Sequence, residues 1–136
     1  MGSRRKARII AVQSIYSWEA NETGRDKLLD FEWLEGPGGS DDTVAFARLI
    51  VAGVLENIED VDKRIQDHLD HWDITRLSRV DLAILRMACY SLVYQSEIPA
   101  SVTIDEAIAI AKDFGSDESF RFVNGVLDSI RRDLSG

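Results

Sequence analysis

Ser78-Arg79-Val80-Asp81-Leu82-Ala83-Ile84-Leu85-Arg86-Met87-Ala88-Cys89-Tyr90-Ser91-Leu92-Val93-Tyr94 is the stretch on which the fold turns. A serine followed three residues later by an acidic residue resembles a capping box, with the Ser78 oxygen free to accept from an amide of the first helical turn. Beyond that start, Leu82, Ala83, Ile84, Leu85, Met87, Ala88, Cys89, Leu92 and Val93 make the helix apolar nearly all round. Such a helix has no face to give to water, so the other elements must pack around it. Asp81, Arg86 and Ser91 interrupt the run, and it is too short to span a bilayer; it reads as a buried helix of a soluble, globular protein.

Working outward, apolar residues recur at helical spacing almost everywhere, and no segment sustains two-residue alternation. The expectation is an all-α protein of about seven helices with no sheet. Downstream, Pro99 stops any extension of the central helix. Ile104, Ala107, Ile108 and Ala111 mark an amphipathic helix closed by Phe114-Gly115, a C-terminal glycine signal. Ser116-Asp117-Glu118 then caps a last helix whose inner face is Val123, Val126, Leu127 and Ile130. Upstream, Ala47, Ile50, Val51, Val54, Ile58, Val61, Ile65 and Leu69 form a stripe long enough for two helices or one bent one, with a break expected near Asn57 to Asp60. Ser40 or Asp41 caps its start, after the loop Gly36-Pro37-Gly38-Gly39-Ser40, and a short helix is expected around Asp26 to Glu35. The first helix carries Ala7, Ile10, Ala11, Ile15 and Trp18 and ends at Asn21 to Gly24. At 136 residues and 45% hydrophobic composition the chain fits one domain, 1–136. Trp72 to Leu77 connects its halves, an N-terminal helical subdomain over 1–74 and a C-terminal one over 75–136.

Charge is segregated. The chain has 16 Lys and Arg against 24 Asp and Glu, a formal net charge of -8, yet Arg4, Arg5, Lys6 and Arg8 precede the first acidic residue, Glu19. The body is therefore more acidic than the total suggests and repels polyanions, while the basic arm can hold a phosphate backbone by counterion release. A solvated helix start is the simpler alternative. Gln13, Tyr16 and Ser17 follow the arm; Gln13 and Tyr16 can share a flank of the first helix with Arg5, a strip able to stack on and hydrogen-bond single-stranded RNA or to dock a protein. The competing reading makes Tyr16 a half-buried aromatic with a wet hydroxyl. Phe120 and Phe122, two residues apart, cannot face inward on the same side, so one of them should lie near the surface close to Arg121.

Nothing argues for an enzyme or for a cofactor. The glycines at 36, 38 and 39 neither follow a strand nor precede a lysine at phosphate-loop spacing. His68 and His71 are spaced as metal ligands could be, but without the catalytic glutamate pattern they read as a solvated helix end. The single cysteine, Cys89, has no disulfide partner and sits in an apolar run, as in a reducing compartment. No signal-peptide core follows Arg8, and the expected location is cytoplasmic, with no membrane association.

Three blocks together resemble the NusB family of bacterial transcription antitermination factors. They are Arg5-Lys6-Ala7-Arg8-Ile9-Ile10-Ala11-Val12-Gln13-Ser14-Ile15-Tyr16-Ser17-Trp18, then Ser78 to Arg86, then Ile98-Pro99, Thr103 to Ile108, Ala111-Lys112, Ser119 and Phe122-Val123-Asn124-Gly125-Val126-Leu127-Asp128. The resemblance implies two packed helical bundles. It also implies a partner, the small-subunit ribosomal protein NusE, and single-stranded boxA RNA of ribosomal RNA leaders and phage nut sites, bound within an elongation complex with other Nus factors. In those terms Arg4, Arg5, Lys6 and Arg8 contact RNA, Glu118 and Phe122 lie beside it, and Tyr16 and Asp81 hold NusE. Gln13 joins the RNA-facing strip on the reading of the first helix given above. Two alternatives stand beside this one. A homodimer would bury the arm and mask the RNA surface, and a domain of this kind also precedes the catalytic domain of some ribosomal RNA cytosine methyltransferases. The chain's end at Gly136 favours a freestanding factor over the latter.

Overall fold

The computed structural model describes residues 3–21, 41–70 and 72–135. They form helices α1 (Ser3–Asn21), α2 (Asp41–Glu56) and α3 (Ile58–Asp67), a 3-10 turn over Ile74–Arg76, then α4 (Arg79–Tyr94), α5 (Ala100–Phe114) and α6 (Ser119–Ser135). No strand occurs among the described residues. The expected helix around Asp26 to Glu35, the loop at 36–40 and His71 lie outside them.

α4 packs against α1, α2, α3, α5 and α6, which is what a helix apolar on every side requires. Its start is capped as expected: Ser78 Oγ accepts from the Asp81 amide at 3.1 Å. The Asp81 Oδ1 atom is itself buried without a hydrogen-bond partner. One apolar cluster runs from Ala7 on α1 through Ile50, Val61 and Leu85 to Ile130 on α6, so the core crosses the connection at Trp72 to Leu77.

The long apolar stripe is two helices, broken at Asn57. There the Asn57 side chain donates to the Gly53 carbonyl at 2.8 Å, and the Asn57 carbonyl accepts from Val61 at 2.9 Å to start α3. Gly53 also lets α4 approach α2, since a Cβ at that position would collide with the Tyr90 ring. α5 ends at Phe114-Gly115 as expected, without a left-handed residue. The Gly115 φ of -92° and ψ of -173° are extended, and glycine is required for space, because a Cβ would lie 2.8 Å from the Ala111 carbonyl oxygen and against the Ser119 side chain. The cap of α6 is inverted: buried Ser119 Oγ accepts from the Ser116 amide at 2.9 Å.

Arg86 joins three helices. This residue of α4 is 5% exposed, and its Nε and Nη2 donate to the two Asp62 carboxylate oxygens of α3 at 2.8 and 2.9 Å. Glu19 of α1 lies 3.5 Å from Nη1, and the guanidinium sits 5.4 Å from the Trp18 ring centroid. A polar residue inside an otherwise apolar helix is thus matched by charge and by an aromatic face.

Candidate nucleic-acid interface

The basic arm is the first two turns of α1, and its four cations occupy different surroundings. Arg4 is exposed, with its guanidinium carbon 4.0 Å from the Phe46 ring centroid of α2. Arg5 is half-buried and forms a two-pronged pair with Glu106 of α5, Nε to Oε1 at 2.8 Å and Nη2 to Oε2 at 2.9 Å. Lys6 is exposed. Arg8 is 3% exposed, 5.4 Å from the same Phe46 ring, and its Nε has no hydrogen-bond partner.

These surroundings set the electrostatics. The hydrogen bond from Arg5 holds the Glu106 carboxyl below the usual glutamate range, and Glu106 in turn raises Arg5. Burial lowers Arg8, a cost only partly offset by the nearby Glu106 charge. Arg4, Arg5, Arg8, Phe46 and Glu106 border one open groove of about 500 Å³, with Glu97, Ile98 and Val102 on its far side. Clustered guanidinium groups beside an aromatic ring on an open groove suit a phosphate or another anion.

Gln13 and Tyr16 do not share that groove. They line a smaller one, about 190 Å³, with Ile9, Val12, Val80, Ile110 and Phe114. Tyr16 is 39% exposed and Phe114 is exposed beside it, so the groove presents aromatic and aliphatic surface to solvent. Asp81, partly buried, follows Val80 of this groove at the start of α4. Glu118 is exposed in the turn before α6. Phe122 is half-buried and borders a third groove with Trp72 and Arg121. Phe120 is also half-buried rather than one ring being driven outward, and it carries the Lys112 ammonium at 5.0 Å and the Arg121 guanidinium at 5.5 Å.

Phe46 and Glu106 had not been marked from the sequence. They lie 38 and 98 positions beyond Arg8, and only the repeated basic cluster, which needs partners once folded into a helix, hinted that such residues exist. Cys89 is fully buried, and burial pushes its thiol up to about 12, so it offers no thiolate for chemistry. His68 turns its ring between the Arg64 carbonyl, 2.7 Å from Nδ1, and Asp133, 3.3 Å from Nε2. None of the described helices is long and apolar enough to cross a membrane.

Relatives share both the fold and the sequence. The transcription antitermination protein NusB of Treponema pallidum is 47% identical over 130 residues, which cover 95% of this chain and 92% of the relative. Thermotoga maritima NusB superimposes with a TM-score of 0.87 at 36% identity, over 96% of this chain and 91% of that one. A structure of the antitermination factors NusB and NusE in complex with double-stranded RNA has the same fold, with a TM-score of 0.84 at 23% identity, covering 98% of each chain. The NusB family model matches residues 5–132, a span that takes in the whole central helix and most of the arm and of the last helix, and the chain belongs to the NusB family, a family of non-enzymatic antitermination factors.

Proposed function

We propose that this chain is an RNA-binding transcription antitermination factor of the cytoplasm that takes single-stranded boxA RNA of ribosomal RNA leaders together with NusE, inside an elongation complex with other Nus factors. The observation that carries the reading is the open groove at the start of α1, which Arg4, Arg5 and Arg8 line together with Phe46, the Arg4 guanidinium 4.0 Å from the ring centroid. In a chain of net charge -8, that groove is cationic against the general sign of the surface.

An acidic body binds a polyanion weakly by itself, so a basic ribosomal protein on its surface supplies the missing charge. The Tyr16 groove suits that docking: it is apolar, Gln13 belongs to it rather than to the arm, and the acidic Asp81 neighbours it. RNA and NusE then raise each other's affinity by the same factor. Glu118 and Phe122 remain assigned to the RNA side, Phe122 through its half-open ring.

Mixing the chain with NusE and boxA RNA, then separating complexes by gel filtration, tests the reading. A ternary complex that forms with boxA RNA and not with a scrambled RNA of equal length is expected. A chain that fails to hold RNA in either form of the experiment would refute it.

A further inference from the structure

On local grounds the arm is a poor helix start. α1 begins at Ser3 with Arg4, Arg5, Lys6 and Arg8 in its first two turns and no acidic residue in the first. Cations there face the positive end of the helix dipole, and Arg4 and Arg8, four residues apart, repel each other along one face. Burial lowers Arg8 most, and the charges of Arg4 and Arg5 lower it further. A short segment with these conflicts frays unless tertiary contacts hold it.

Two residues from other helices supply those contacts. Glu106 of α5 takes Arg5 in its two-pronged pair. Phe46 of α2 takes the other two arginines: the Arg4 guanidinium carbon lies 4.0 Å from its ring centroid and that of Arg8 5.4 Å, both within cation–π range. One ring thus attracts two like charges a turn apart that would otherwise repel. Phe46 is half-buried and packed against the core beside fully buried Ala47, and α2 packs along α1, so the ring is itself held in place. The two partners differ in one respect that matters for a polyanion. Glu106 is a carboxylate that a phosphate must displace, whereas the uncharged ring leaves exposed Arg4 open to the groove.

We propose that Phe46 is a positioning residue for RNA binding: its ring holds Arg4 and Arg8 in helical register before RNA arrives, so that the arm meets phosphates already ordered. The inference rests on the RNA-binding reading above and gives α2 a part in it. Ordering long side chains at the moment of binding weakens affinity, and a ring that orders them in advance removes that cost without touching RNA. Its loss therefore lowers affinity while the number of phosphates held stays the same.

The test combines hydrogen exchange in the full chain without RNA and the affinity of fluorescent boxA RNA with saturating NusE across a KCl series. It compares wild type with Phe46→Leu, which keeps apolar bulk, and Phe46→Tyr, which keeps the ring face. A helix that begins at Ser3 engages the amides of Ala7 to Ile10, which should be protected in the free wild-type chain. Phe46→Leu should speed exchange at those amides and weaken RNA binding roughly three- to thirtyfold at every salt concentration, with the slope of log affinity against log salt unchanged. Phe46→Tyr should restore both. Open-chain exchange of Ala7 to Ile10 in wild type overturns the proposal without any variant, and so does wild-type RNA affinity in a folded Phe46→Leu. Weaker binding with unchanged exchange, or with a shallower salt slope, makes Phe46 part of the contact surface and overturns its positioning role. Each of these results leaves the RNA-binding reading intact; a wild-type chain that binds no RNA with NusE present overturns both.

Discussion

Removing the carboxylate that pairs with Arg5, by Glu106→Gln, should make RNA binding more salt-dependent, although the substitution adds no cation. Each phosphate contact to a single strand contributes about 0.7 to the slope of log affinity against log salt. Four equivalent arm cations would contribute roughly 2.8 on that scale, but the four are not equivalent. Arg4 and Lys6 are exposed, so replacing both with Ala should remove about 1.4 from the slope. Between about 50 and about 200 mM KCl the wild type should then lose roughly sevenfold more affinity than this double variant. Arg5 meets the RNA already paired with Glu106 at 2.8 and 2.9 Å. A phosphate must displace a carboxylate there, so Arg5→Ala should change the slope by much less than one full contact. Glu106→Gln removes the competitor and should steepen the slope by up to about 0.7 while tightening binding at low salt. The assay is fluorescence anisotropy of labelled boxA RNA with saturating NusE across a KCl series. Equal slope changes for the Arg4, Arg5 and Lys6 single variants, together with no effect of Glu106→Gln, would refute this division of the arm.

Three further outcomes bear on the fold. Arg86→Ala strands the Asp62 and Glu19 carboxylates beside α4; because both are partly exposed, with side chains 29% and 37% open, the loss should be about 3 kcal/mol, or roughly 10 °C in melting temperature. Gly53→Ala drives a methyl group into the Tyr90 ring and should cost about 1–3 kcal/mol in chemical denaturation, with part of the loss recovered when Tyr90 is shortened to Leu in the same chain. The Arg5–Glu106 pair sets an acid limb: Glu106 titrates below its unfolded value, so its contribution is complete above about pH 4.5 and disappears as pH falls through the folded-state value. Glu106→Gln should therefore be less stable than wild type at neutral pH, and the gap should close on acidification; a gap independent of pH would contradict the pair's role.

The parts of the fold governed by periodicity were legible from residues alone. α4 was readable because its apolar residues leave no wet face, and the interruption between α2 and α3 because Asn57 stands where the stripe pauses. What stayed hidden depends on partners distant in the chain. Arg86 meets Asp62 across 24 positions and Arg5 meets Glu106 across 101, and no local pattern links them. The burial of Arg8 beside Phe46 was hidden as well, because charge patterning records sign and not burial. Phe114-Gly115 marks the end of α5 in the sequence, whereas the crowding by Ser119 that requires glycine there is a fact of packing. Gln13 was grouped with Arg5 by helix phase, yet the packing of Phe114 and Val80 places it in the Tyr16 groove.

The central claim is that this chain holds half of an RNA site and a basic partner completes it. The direct measurement is the dissociation constant of boxA RNA for the chain alone and for the chain saturated with NusE, at one fixed salt concentration near physiological. The account predicts affinity at least tenfold tighter with NusE, and NusE binding tightened by the same factor when RNA is present. Equal RNA affinities with and without NusE would contradict it.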